Sequence, residues 1–120
     1  MLPLARSIVI CALLASCTVH VAAADYPSRP IRLIVPTGAG GVTDILARIL
    51  AERMRTALGQ QVVVDNRTGA SGIIGTDIVA KAMPDGYTLL MVFPSHAVNP
   101  SLNKTLHYDS LNDFAPFGRN

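Results

Sequence analysis

Short runs of β-forming residues alternate with segments of helical periodicity, and glycine-bearing turns mark each change from strand to helix. That alternation constrains the chain more than any other feature. Ile31-Arg32-Leu33-Ile34-Val35 is a run of strand formers stopped by Pro36, which cannot donate into a ladder. Thr37-Gly38-Ala39-Gly40-Gly41 then frees the backbone to turn, and Thr43 or Asp44 can cap the first N–H groups of a following helix. Ile45, Leu46, Ile49, Leu50, Met54, Ala57 and Leu58 recur at helical spacing, with Arg48, Glu52, Arg53 and Arg55 largely between them. The spacing predicts an amphipathic helix that lays those apolar residues on the core and ends at Gly59.

The layout then repeats. Residues 61–65 read as a second strand and residues 66–72 as a second flexible connection. Ile73, Ile74, Ile78, Val79 and Ala82 outline a second helix despite Gly75. Pro84-Asp85-Gly86 is turn chemistry, and residues 87–93 read as a third strand. The order βαβαβ requires parallel strands with right-handed crossovers, an α/β architecture with helices on the sheet faces. Ligands on such sheets sit beyond the carboxyl ends of the strands. From Pro94 onward the pattern weakens to loops and a short helical turn near residues 111–114.

Residues 7–24 hold no Asp, Glu, Lys or Arg and follow the single cation Arg6. A positive start, an apolar stretch and Val21-Ala22-Ala23-Ala24 before Asp25 predict a signal peptide over residues 1–24, cleaved after Ala24. Leu14-Ala15-Ser16-Cys17 resembles a lipobox, so the alternative is a lipoprotein anchored at Cys17. An uncleaved anchor is the third reading, since the apolar stretch approaches the ~18 residues of a spanning helix. Both cysteines, Cys11 and Cys17, precede Ala24, so residues 25–120 offer no disulfide, thiolate nucleophile or Cys-based metal site. Cleavage removes Arg6 from the ten Lys and Arg, leaving nine cations against eight acids, a balance unlike that of a nucleic-acid binder.

Pro36-Thr37-Gly38-Ala39-Gly40-Gly41-Val42-Thr43-Asp44 carries the strongest chemical signal. Glycines ahead of a helix expose backbone N–H groups at the positive end of its dipole, which suits a carboxylate or phosphate. A plain turn would use the same glycines for geometry alone. A nucleotide-binding enzyme using residues 38–41 is the alternative function, but Thr43 stands where the third glycine of G-x-G-x-x-G belongs. No G-K-[ST], H-E-x-x-H or metal-ligand cluster occurs, so no metal or cofactor is expected. Ser95 and His96 follow the third strand and so fall at the same sheet edge as the glycine turn. As a nucleophile and base they are badly placed, being adjacent and outside any G-x-S-x-G elbow. His107 and the arginines of the first helix read as surface residues.

A family resemblance rests on many ordered motifs. They are Tyr26-Pro27-Ser28-Arg29-Pro30-Ile31-Arg32-Leu33-Ile34-Val35-Pro36, Gly40-Gly41-x-x-Asp44, Gly59-Gln60, Val62-Val63-Val64 and Asn66-Arg67, followed by Gly69-Ala70 and Ile74-Gly75. Pro84-Asp85-Gly86-Tyr87-Thr88-Leu89-Leu90, His96-Ala97, Asn99-Pro100, Tyr108-Asp109 and Asp113-Phe114-Ala115-Pro116 continue the series. The chain resembles the Bug/TctC family of extracytoplasmic solute receptors of tripartite tricarboxylate transporters.

The resemblance implies the βαβαβ parallel-sheet half of a two-lobed, Venus-flytrap periplasmic-binding-protein fold. It implies a periplasmic monomer that is not an enzyme, holds a small carboxylated solute and presents it to the transporter's membrane subunits. Carried over by position, Pro36, Thr37, Gly38, Ala39, Gly40 and Gly41 form the first carboxylate loop and Asp44 shapes the helix start. Ser95 and His96 line the same cleft, with residues 68–72 as a further loop. The family usually has an aromatic residue where Thr37 stands, and proline and glycine where Thr68 and Ser71 stand. It also continues into a second lobe where this sequence stops after Asp113-Phe114-Ala115-Pro116. Residues 25–120 are therefore expected to be the N-terminal part of the first solute-binding domain, a truncated form with weak or no affinity of its own. One wall cannot give the roughly 70–90% enclosure of an ordinary small-molecule site.

Overall fold

The computed structural model describes residues 25–117. The leader reading at residues 1–24, its cleavage after Ala24 and the Cys17 alternative lie outside the described residues. β1 (Ile31–Val35), β2 (Val62–Asn66) and β3 (Thr88–Leu90) form one parallel sheet in the order β2-β1-β3. α1 (Val42–Leu58) joins β1 to β2. A 3-10 turn at Ala70–Gly72 and then α2 (Ile73–Ala80) join β2 to β3, and α3 (Ser95–Leu102) follows β3. The βαβαβ order and the parallel sense agree with the sequence reading.

β1 is central because both neighbours pair with it, Leu33 opposite Val64 on one side and Leu89 on the other. Its apolar run is accordingly buried, with Ile31, Ile34 and Val35 wholly inaccessible. That is the pattern of a parallel strand covered on both faces. Leu33 and Val35 join Ala47 and Ala51 in one cluster, with Val62, Val64, Leu89 and Met91 packed around it. α2 packs on β1 and β3.

α1 corrects the expected buried face. Asp44, Ala47, Ala51 and Met54 meet the sheet, whereas Ile45, Leu46 and Ile49 are 52%, 51% and 56% exposed. Small side chains let the helix backbone approach the sheet closely, and Ile45, Leu46, Ile49 and Leu50 fall on the outer side of α1, while Met54 is buried as expected. Gly59 ends the helix as expected, with φ +69° and its N–H donating to the Arg55 carbonyl at 3.0 Å.

Two boundaries also differ. β3 pairs only over Thr88–Leu90, shorter than residues 87–93, because after the Met91 N–H reaches the Ile34 carbonyl the chain turns away. α3 occupies a stretch read as loop; Pro100 removes one internal donor without stopping the helix.

Candidate functional site

Three loops leave the carboxyl ends of the strands and are tied to one another. The first begins at Pro36, which is buried, and runs through the exposed residues 38–41 into α1. Gly40 has φ +83°, a conformation that favours glycine. Gly41 is the N-cap and supplies no side chain, so the capping by Thr43 or Asp44 that the sequence suggested does not occur in that form. Asp44 instead reaches back from the first turn, and its Oδ2 accepts the Gly40 N–H at 2.8 Å and Arg48 Nε at 3.0 Å.

Asn66, at the end of β2, completes this network. Its Nδ2 donates to the Thr37 carbonyl at 3.1 Å and to Asp44 Oδ1 at 3.0 Å, while its Oδ1 accepts Arg48 Nη2 at 3.3 Å. The Asp44 residue is only 2% exposed. The Arg48 guanidinium, then the Gly40 amide and the Asn66 side-chain amide, hold its carboxyl down to about 2. Asp44 is therefore an internal anion that fixes the turn from within.

The consequence for the turn is a division of its amides. Gly40 N–H points inward to Asp44, whereas among the described residues no acceptor meets the N–H groups of Gly38, Ala39 or Gly41. The first-turn amides of α1 are likewise left uncapped by any side chain. A Cβ at Gly38 or Gly40 would meet nothing within 4 Å, so the turn borders open space. Thr37 does not fully fit the expected role: its buried Oγ1 has no partner among the described residues, and its carbonyl is taken by Asn66.

The second loop is clamped to the first. Arg67 N–H donates to the Val35 carbonyl at 2.8 Å. A Cβ on Gly75 would lie 2.8 Å from Pro36 Cβ, and one on Gly72 would lie 3.4 Å from it and 2.6 Å from the Phe93 ring. The third loop closes on the second, because Ser95 Oγ donates to the Ser71 carbonyl at 2.9 Å and Asn99 Nδ2 to the same oxygen at 3.1 Å.

The sequence-selected residues thus separate into two groups. Pro36, Thr37, Gly38, Ala39, Gly40, Gly41 and Asp44 share one loop, and Ser95 is bound to its neighbour. His96 is drawn toward the chain end: its ring lies 5.3 Å from Phe114 and 6.4 Å from Tyr108, and Nε2 sits 3.2 Å from the Ser110 carbonyl. Asn66 and Asn99 were not singled out for a site, and Ser71 entered only within the further loop at residues 68–72. Asn66 was visible only as part of the Asn66-Arg67 motif, and Asn99 as part of Asn99-Pro100. Among the described residues no group of three or more His, Cys, Asp or Glu side chains gathers as a metal site.

A parallel sheet with its βα loops gathered at the strands' carboxyl ends defines an α/β ligand-binding half-fold. The profile described as "Tripartite tricarboxylate transporter family receptor" matches residues 46–118, and the chain belongs to that family. It is 51% identical over 98 residues to protein BugT of Bordetella pertussis, covering 80% of this chain and 30% of BugT. The structure of periplasmic binding protein BugD matches with a TM-score of 0.73 at 49% identity, over 76% of this chain and 30% of BugD. MatC of Rhodopseudomonas palustris, solved with bound malate, matches with a TM-score of 0.69 at 34% identity, over 76% of this chain and 31% of MatC. The chain spans about a third of the length of the curated relatives it matches. The fold is that of periplasmic binding proteins, and the homologues are solute-binding receptors.

Proposed function

We propose that this chain serves in a periplasmic receptor that captures a small carboxylated solute for a tripartite tricarboxylate transporter, and that residues 36–41 are one wall of its anion site. The observation that carries the reading is the glycine turn at the uncapped start of α1. Its Gly40 amide is fixed inward by buried Asp44, while among the described residues the Gly38, Ala39 and Gly41 amides meet no acceptor. Such amides, at the positive end of a helix, form a donor set for a carboxylate. Malate in MatC supports a carboxylate as the class of solute.

Ser95 borders this wall through its bond to the second loop, His96 packs instead toward Tyr108 and Phe114, and Asp44 acts as the wall's internal support. The reading makes the protein a binding protein rather than an enzyme, acting as a monomer and delivering its solute to membrane subunits. A titration of the 15N-labelled chain with malate tests it. The expected result is that the Gly38, Ala39 and Gly41 amide signals move together and saturate. Because a single wall is expected to bind weakly, the titration runs to the limit of malate solubility, and shifts confined to other residues, or none there, would overturn the assignment.

A further inference from the structure

The second loop is held in a backbone shape that its own residues disfavour. Gly69, Ala70, Ser71 and Gly72 have φ of +126°, +46°, +54° and +85° in succession. Glycine takes positive φ without a steric cost, but Ala70 and Ser71 carry a Cβ that crowds the following carbonyl there. Two adjacent L-residues in the left-handed region persist only where their surroundings over-determine them. Both are exposed, so core packing of their side chains does not supply the restraint.

The restraint is a pair of donors on one oxygen. Ser95 and Asn99 are four residues apart on α3 and therefore share a face. Both donate to the Ser71 carbonyl, at 2.9 Å and 3.1 Å. Asn99 is only 2% exposed, so its amide is committed to this role in a site that water reaches poorly. The Gly72 N–H to the Gly69 carbonyl, at 2.9 Å, closes the turn from inside. The same turn is trapped between Phe93 of the third loop and Pro36 of the first, both against Gly72.

We propose that Asn99, assisted by Ser95, is a positioning residue that holds the left-handed turn at residues 69–72, and through it Pro36, in the arrangement that presents the anion-binding turn. The inference rests on the proposed carboxylate reading for its functional consequence, but its structural half stands apart from it. Ser95 thereby acts on the loop rather than directly on solute.

The test uses the 15N,13C-labelled full chain and the variants Asn99→Ala, Ser95→Ala, Ser71→Gly and Asn99→Ala with Ser71→Gly. The intraresidue HN–Hα cross-peak, strong only at positive φ, reports the backbone of residues 70 and 71. Asn99→Ala is expected to weaken that peak at both and to weaken malate binding about tenfold. Ser95→Ala, the milder change, is expected to move both readouts in the same direction if Asn99→Ala fails to fold. Adding Ser71→Gly to Asn99→Ala is expected to restore binding toward the parent, because glycine adopts the turn without needing the restraint. Unchanged cross-peaks in both Asn99→Ala and Ser95→Ala, or weakened binding that Ser71→Gly does not recover, would overturn the proposal. If the parent shows no malate-dependent shifts, the carboxylate reading fails while the cross-peaks still decide the positioning role.

Discussion

Replacing Gly75 by alanine sets two effects of opposite sign against each other. Gly75 is buried in the first turn of α2, and alanine there is favoured by about 1 kcal/mol of helix propensity. The added Cβ would lie 2.7 Å from the Arg67 carbonyl oxygen, 2.8 Å from Pro36 Cβ and 3.1 Å from Pro36 Cα. None of these obstacles is the end of a flexible side chain. Arg67 is fixed through its N–H to the Val35 carbonyl, and Pro36 starts the glycine turn. Overpacking of this kind costs about 1–3 kcal/mol, and immobile obstacles put it near the upper end. Subtracting the propensity gain leaves a net loss of about 1–2 kcal/mol, or roughly 5–15 °C in Tm for a domain of this size. Urea unfolding followed by far-UV circular dichroism measures it, with Gly38→Ala as the control because nothing lies within 4 Å of its Cβ. The control should stay within about 0.5 kcal/mol of the parent. A Gly75→Ala protein as stable as the parent, or about 1 kcal/mol more stable, would show that the first two loops are not in the contact described.

The orientation of α1 gives a second prediction. Ala51→Leu should cost about 1–3 kcal/mol by overfilling the sheet face, whereas Ile49→Gln on the outer side should change urea-derived stability by less than about 0.5 kcal/mol; the reverse order would put the Ile49 side against the sheet. Acid gives a third. Because Asp44 is held at about 2, below its ordinary 3.8, it titrates lower in the folded chain than in the unfolded one. Its contribution is therefore complete above pH 3.8 and is lost as pH falls toward 2. The parent's urea midpoint should fall more steeply across that window than that of Asp44→Asn, and parallel profiles would contradict it.

Legibility in the sequence followed how completely each element's role is written in its own residues. β1 was found to the residue because five strand formers end at Pro36 and the strand is buried on both faces. α1 was found as a helix, but most of its expected apolar face, Met54 excepted, points away from the sheet. The periodicity of Ile45, Leu46, Ile49 and Leu50 outweighed that of Ala47 and Ala51, although small residues are what close contact with a sheet selects. A helix apolar on two sides has no single stripe to read. α3 was invisible because Ser95, His96, Asn99 and Pro100 give neither an apolar stripe nor a helix-forming composition. The glycine turn was legible because its chemistry is local. Asn66 and Asn99 were not, since each acts on a carbonyl 28 or 29 residues away that only the fold brings near.

The role of Asp44 can be separated from simple electrostatics, because the two accounts predict opposite signs. A buried carboxylate beside an anion site repels the solute, so removing its charge through Asp44→Asn should tighten malate binding if charge alone matters. The hydrogen bonds argue otherwise. If the oxygen of the introduced amide faces Gly40 and Arg48, its NH2 opposes Asn66 Nδ2; if the amide is turned over, its NH2 opposes the Gly40 N–H and Arg48 Nε. Asn66 cannot turn to relieve the first conflict without setting its oxygen against the Thr37 carbonyl and its NH2 against Arg48 Nη2. The first orientation breaks the Asn66 brace on the turn and the second releases the Gly40 N–H itself, so either one loosens the turn. The turn would hold its carboxylate by fixed amide dipoles whose value lies in being pre-ordered. Asp44→Asn should accordingly weaken malate binding, with the Gly40 amide signal shifted before any malate is added. Tighter binding with an unmoved Gly40 signal would mean that Asp44 is only a nearby charge.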